Sequence, residues 1–237
     1  VLKQKTFEEA SRIHDGGVMT IGGTVNKVAF LLLMVMAAAV YSWGLFSKGE
    51  NVTPFMIGGA IGGFILALVI IFKKEWAPYL APAYALAEGL FLGAISAYYG
   101  SLYEGIVLQA VGLTFGTFLA MLALYKFQVI RATEKFRAII ITATAGIAIF
   151  YLIAMVLRMF NINIPFLHEG STFGIIFSFV VVGIAALNLI LDFDMIENGA
   201  AQGAPKYFEW FAGFGLLVTL VWLYLEILRL LAKLNRR

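Results

Sequence analysis

The chain has 237 residues, of which 62% are hydrophobic and only 13% are charged, and its mean hydropathy is +0.92. Because the apolar share of soluble domains is about 45–50%, this composition excludes an ordinary soluble domain and predicts a polytopic membrane protein. The net charge of +3 does not indicate nucleic-acid binding, since the basic residues form short clusters between apolar runs, as topology determinants do. The absence of cysteine excludes disulfides, thiolate chemistry and cysteine-ligated metals.

The N-terminal stretch mixes charged residues and glycines, and we predict a tail over residues 1–27 ahead of a membrane domain over residues 28–237. No short apolar core with a small-residue cleavage site precedes residue 28, so no signal peptide is expected.

Seven apolar segments follow, and each is long enough to form a helical span, which needs about 20 residues. Their runs are continuously apolar rather than alternating, which favours helices over a barrel. Because every link is short, we predict one all-α domain, a bundle of seven transmembrane helices. The segments cover approximately residues 28–46, 54–72, 79–99, 105–125, 138–157, 172–194 and 208–231.

The positions of lysine and arginine predict a cytoplasmic N-terminus, since cytoplasmic links carry an excess of them. The opposite side holds only Lys48 and Arg158 before the last span. The C-terminal cations disagree: they lie outside if there are seven full spans, and inside if one segment only re-enters the membrane. We favour seven spans because each segment is individually long enough. The predicted cytoplasmic cations are Lys3, Lys5, Arg12, Lys27, Lys73, Lys74, Lys126, Arg131, Lys135, Arg137 and Lys206, and the C-terminal ones are Arg229, Lys233, Arg236 and Arg237.

Glycines four residues apart predict close helix packing, because small residues let helices approach in lipid. We expect packing within the monomer rather than a dimer interface. The glycines are Gly58, Gly59, Gly62 and Gly63 in the second span, Gly89 and Gly93 in the third, and Gly112 and Gly116 in the fourth.

Several catalytic arrangements are missing from the sequence. Only two histidines occur, His14 in the tail and His168 in the fifth link, so no histidine metal cluster can form in the bilayer. There is no Gly-x-Ser-x-Gly motif and no phosphate-binding glycine loop after a strand. We therefore expect no enzymatic activity and no cofactor.

Acids beside or within apolar runs are costly and usually mark a pathway, a relay or a paired site. Glu88 lies midway along the third span, and Glu226 lies in the last, which Glu209 opens. Asn188 and Asp192 are four residues apart and share a helix face, whereas Asp194 points roughly the opposite way. Asp192 is the inward candidate. The alternative is that Asp192, Asp194 and Glu197 only solvate a helix end.

Two motifs carry a family resemblance. The sixth span ends in Leu-Asp192-Phe-Asp194-Met-Ile, and the last ends in Leu-Tyr-Leu-Glu226-Ile-Leu-Arg229-Leu-Leu. Together with Glu88-Gly-Leu-Phe-Leu-Gly in the third span, they resemble the transmembrane Bax inhibitor motif family, Bax inhibitor-1-like, in its bacterial YccA-like branch.

The resemblance implies a seven-helix bundle with a central last helix and a pH-sensitive calcium leak in a bacterial inner membrane. It further implies two aspartates, one in each of the last two spans, that share a proton. Two carboxyl groups within hydrogen-bond distance cannot easily both ionise, so they titrate as a unit. Deprotonated, they supply the oxygen ligands that calcium prefers, which makes Asp192 a possible transient calcium ligand.

The resemblance carries over only in part. Asp192 matches the sixth-span aspartate and Arg229 the arginine of the closing motif, but Thr219 occupies the position of the second aspartate. Thr219 can hydrogen-bond Asp192 but cannot repel it. Glu226 lies about 10 Å farther along the helix than Thr219. Arg229, three residues after Glu226, is therefore its nearer partner. We expect a polar ion pathway of Asp192, Thr219, Glu226 and Arg229, with Glu88 contributing, and Asn188 and Asp194 supporting it.

Three functions fit these residues. The first is a calcium leak modulated by pH through Asp192, with the lipid bilayer and calcium ions as partners. The second is a non-transporting regulator that binds a membrane protease or a stress-response partner. The third, a proton-coupled transporter, lacks the broken-helix inverted repeats that would support it.

Overall fold

The computed structural model describes residues 17–160 and 171–236, so His14 and His168 lie outside the described residues. This part of the chain forms seven α-helices, with a 3-10 turn at Lys74–Trp76 between the second and the third. The helices are α1 (Ile21–Ser47), α2 (Thr53–Phe72), α3 (Ala77–Leu102), α4 (Ile106–Lys126), α5 (Glu134–Met159), α6 (Thr172–Ala201) and α7 (Phe208–Asn235).

All seven helices are long and apolar enough to cross a membrane, which confirms the predicted seven-helix membrane bundle. The last helix is the most buried. In its most apolar window 72% of the residues are buried, against 50% or less in each of the other six spans. This burial agrees with the expectation of a central last helix.

Two helix boundaries differ from the predicted spans in ways that affect the candidate sites. α1 begins at Ile21, whereas the predicted first span begins at residue 28. α6 continues to Ala201, so Asp194 lies within the helix, whereas the predicted sixth span ends at residue 194. The acids end the apolar run, but good helix formers such as Met195 and Ala200 continue the helix beyond it.

Local signals explain where several helices begin and end. The Thr20 hydroxyl accepts a hydrogen bond from Gly23 N at 3.0 Å and caps α1. Ser171 Oγ accepts from Gly174 N at 3.2 Å at the start of α6. After α6, Gly203 has a φ of 65°, a left-handed conformation that glycine adopts without steric cost and that turns the chain toward α7.

The chain divides into two compact units. The first comprises Val1–Ala97 and Asp194–Leu217, and the second comprises Tyr98–Phe193 and Val218–Arg237. The first therefore contains α1, α2, most of α3 and the start of α7. The second contains α4, α5, most of α6 and the rest of α7.

Glycines mediate the closest helix contacts of the first unit. A Cβ at Gly59 of α2 would lie 2.5 Å from the Ala87 carbonyl oxygen of α3, and one at Gly89 would lie 2.7 Å from Ala38 Cβ of α1. The prediction of close packing is confirmed for Gly59, Gly63, Gly89 and Gly93. It is wrong for Gly58, Gly62, Gly112 and Gly116, around which no described atom lies within 4 Å of such a Cβ.

We expect Gly93→Ala to destabilise the protein and Gly116→Ala to leave it unchanged or slightly more stable. A Cβ at Gly93 would overlap the Ala39 carbonyl oxygen and Ser42 Oγ of α1, and such overpacking costs about 1–3 kcal/mol. At Gly116 the alanine meets open space, and its helix propensity is better by about 1 kcal/mol. Unfolding free energies of both variants in detergent micelles check this; equal values would contradict the packing.

Candidate functional site

Asp192 and Thr219 face each other in the second unit, on α6 and α7. Their side chains are joined by a hydrogen bond. Asp192 is half-buried and Thr219 is buried. Asp192 Oδ2 is inaccessible and has no hydrogen-bond partner among the described residues. A buried carboxyl oxygen without a donor is unusual and calls for an explanation; a proton or a cation held there would supply one.

Asn188 does not support Asp192 directly. Its amide nitrogen donates to Thr144 Oγ1 of α5 at 2.8 Å and to the Ile184 carbonyl oxygen at 2.9 Å. Asn188 therefore joins α6 to α5, one turn before Asp192. Asp194 belongs to the first unit, whereas Asp192 belongs to the second.

Glu226 and Arg229 form a second polar cluster in this unit, together with Tyr151 of α5. Arg229 Nη1 donates to Glu226 Oε1 and to Tyr151 Oη, both at 2.8 Å. Tyr151 Oη donates to Glu226 Oε1 at 3.0 Å, and the guanidinium lies over the Tyr151 ring at 5.1 Å. Glu226 is 1% exposed. Its carboxylate is paired with Arg229 and Tyr151 rather than with Asp192.

Glu88 lies in the first unit, at the contact between α2 and α3. It hydrogen-bonds Tyr84, one turn earlier on the same helix. A Cβ at Gly63 would lie 2.6 Å from Glu88 Oε1, so the glycine leaves room for the carboxyl group. The Tyr84 ring meets Phe214 of α7 edge to face at 4.9 Å. These contacts hold Glu88 between packed helices.

Glu209 is fully buried at the start of α7. Its Oε1 accepts from Thr20 N at 3.0 Å, from Thr20 Oγ1 at 2.9 Å and from Lys206 Nζ at 2.7 Å. The carboxylate packs onto Gly23, where a Cβ would collide with it. Glu209 therefore stabilises the N-terminus of α1, the end of a helix that favours a negative charge.

The family model described as Bax inhibitor 1 like matches residues 1–236. The chain belongs to this family. Neither a curated protein nor a solved structure matches the chain significantly.

In this Bax inhibitor 1-like chain, the described residues contain no group of three or more acidic, histidine or cysteine side chains that could hold a metal ion. The roles of Asp192, Thr219, Glu226, Arg229 and Glu88 in an ion pathway stay predictions.

Sequence reasoning missed the partners that come from other helices of this Bax inhibitor 1-like chain. Tyr151 and Thr144 lie in an apolar run of α5 and carry no sequence signal. Lys233 was counted as a topology residue, yet it is buried and donates to Ser178 Oγ at 2.8 Å and to the Gly174 carbonyl oxygen at 3.0 Å. The one available signal was the three-residue spacing of Lys206 and Glu209.

Proposed function

We propose that the protein is a leak pathway for calcium ions whose permeability depends on pH through Asp192. The observation that carries this proposal is the inaccessible, unpartnered Oδ2 of Asp192 beside Thr219, within an apolar helix. An ionised carboxylate without partners is costly there. Asp192 can meet that cost by binding a proton or by coordinating a passing cation, and the two compete for the same oxygen.

Membership of the Bax inhibitor 1-like family supports the proposal, because the resemblance of the two C-terminal motifs implies an aspartate at this position of the sixth span. In this chain the opposite position is Thr219, which hydrogen-bonds Asp192 without adding a second charge. We therefore expect pH to act through a single carboxyl group. Loss of the proton makes Asp192 a hard oxygen ligand of the kind that calcium binds.

We also propose that the N-terminus lies in the cytoplasm of a bacterial inner membrane, because Lys and Arg are in excess on that side of the predicted spans. The C-terminal cations that the structure describes have partners within the chain: Arg229 pairs with Glu226, Lys233 donates to Ser178, and Arg236 Nε donates to Tyr103 Oη at 3.0 Å.

The test is calcium release from liposomes that contain the purified protein, measured with a calcium dye between about pH 6 and pH 8. This range is chosen because the pKa of a carboxyl group can rise into it when the environment disfavours the charged form. We expect native protein to release calcium above the protein-free level, and Asp192→Ala to change the rate and remove its pH dependence. Glu134→Ala, which removes an acid whose side chain is 91% exposed, is the control and keeps the native profile. Equal rates for native protein and Asp192→Ala across this range would refute the proposal.

The second candidate is a non-transporting regulator that binds a membrane protease. The attachment of the tail favours it: Met19 N donates to the Ala204 carbonyl oxygen at 2.7 Å, and Val18 pairs with Pro205. Residues 18 and 19 of the predicted tail are therefore fixed to the segment between α6 and α7. This role would be supported if a membrane protease co-purifies with native protein and with Asp192→Ala, but not with a variant that lacks residues 1–27.

A further inference from the structure

The cluster of Tyr151, Glu226 and Arg229 has a feature that Asp192 lacks. Its carboxylate is occupied by a cation that belongs to the chain itself. Glu226 has a side-chain exposure of 2%, whereas that of Arg229 is 36%. Arg229 is therefore the more accessible member of the pair.

The exposed part of Arg229 must face a polar region, because a guanidinium in hydrocarbon costs several kcal/mol by most measures. Arg229 lies in the final third of α7, which ends at Asn235. Arg229 is nearer to that end of the helix than Glu226 is. One turn further on, the buried Lys233 adds a second positive charge on the same helix.

We propose that Glu226 and Tyr151 form a latent site for a divalent cation and that Arg229 is a tethered cation which occupies it. The guanidinium binds the same carboxylate oxygen, Glu226 Oε1, to which Tyr151 donates. A calcium ion must displace Arg229 to bind there. The regulatory role of this cluster rests on the proposed calcium leak, in which the cluster acts as a barrier to cations. The cation site itself does not require transport.

Competition between the two cations sets the strength of the site. A tethered group has an effective concentration on the order of millimolar or higher, and the weakest class of calcium sites in proteins binds at about 10⁻⁴–10⁻³ M. The native cluster should therefore bind calcium hardly at all. Removal of the guanidinium charge should uncover the carboxylate and the phenolic oxygen together.

The test is the melting temperature of purified protein in detergent micelles, titrated with calcium chloride alone. We expect Arg229→Gln to melt at a higher temperature as calcium increases, with an apparent affinity at least about tenfold above that of native protein, since the competing cation has been lost. Arg229→Lys, which keeps a tethered charge, and the control Arg131→Gln should respond as native protein does. The double variant Arg229→Gln, Glu226→Gln should show no calcium response.

No calcium response in a folded Arg229→Gln would overturn the inference, and so would a response that persists in the double variant. If Arg229→Gln does not fold, Arg229→Met decides, because it also removes the guanidinium charge and leaves Glu226 and Tyr151 in place; no calcium response in folded Arg229→Met would again overturn the inference. Calcium release from liposomes separates the two proposals. A response in Arg229→Gln with no release by native protein refutes the leak alone, and release without a response refutes the tethered cation alone.

Discussion

Exchange of Glu209 for alanine is expected to lower the free energy of unfolding by about 3 kcal/mol, because a buried charged acceptor of hydrogen bonds would be lost. Its Oε1 accepts both Thr20 donors and Lys206 Nζ. Without it, the backbone N–H of Thr20 loses its acceptor and a cavity opens beside Gly23. Lys206, whose side chain is 47% exposed, can rehydrate, which keeps the loss from being larger.

The matched control is Glu134→Ala, which removes the acid of an exposed pair. Glu134 Oε1 lies 3.9 Å from Arg137 Nη1, and its side chain is 91% exposed. Such pairs contribute about 0–1 kcal/mol. Chemical denaturation of both variants in micelles measures the difference, and similar losses for Glu209→Ala and Glu134→Ala would show that Glu209 does not hold α1 in place.

Exchange of Thr219 for aspartate is expected to make calcium release much more sensitive to pH. The aspartate would face Asp192 at the position that now donates a hydrogen bond. Two carboxyl groups at that distance cannot easily both ionise, so they share a proton and titrate together. Where both do ionise, they repel each other and form a pair of calcium ligands. We therefore expect the rate of calcium release to change about tenfold across the titration, a change equivalent to one unit of pKa, or about 1.4 kcal/mol.

Thr219→Asn has nearly the same shape as Thr219→Asp and carries no charge, so it is the control for changes in packing. Liposome release at a series of pH values compares the two variants. We expect Thr219→Asn to keep a shallow profile through Asp192 alone. Indistinguishable profiles for the two variants would contradict the placement of Thr219 opposite Asp192.

The seven spans could be predicted from the sequence because hydrophobic length is a local property of the chain. The helix boundaries could be predicted less well, since helices continue where hydrophobicity ends. Asp194 shows this: it ends the apolar run of α6, yet the helix extends to Ala201. Composition defines the part of a helix suited to lipid, and backbone hydrogen bonding defines the helix itself.

Contacts within one helix were also accessible from the sequence. The three-residue spacing of Glu226 and Arg229 predicted their pairing, and the structure places the two side chains 2.8 Å apart. The family pattern aligned Thr219 with the residue opposite Asp192. In both cases a short-range rule or a known motif supplied the distance.

Contacts between distant segments could not be predicted in this way. Thr20 and Glu209 are 189 positions apart, and Tyr151 and Glu226 are 75 positions apart. Which face of a helix turns toward a neighbour depends on the packing of the whole unit. The glycines show the same dependence on packing. Gly93 and Gly116 lie in equally regular patterns, but a Cβ at Gly93 would overlap α1, whereas one at Gly116 would meet no described atom within 4 Å.

We propose that the proton on Asp192 sets the rate of calcium passage. The most direct measurement is the ratio of calcium release at about pH 8 to that at about pH 6, values that bracket the titration of a perturbed carboxyl group, for native protein and Asp192→Asn in parallel liposome preparations. We predict a ratio several-fold above one for native protein and a ratio near one for Asp192→Asn, whose amide keeps the shape of the side chain but cannot ionise. Equal ratios for the two proteins would contradict the account.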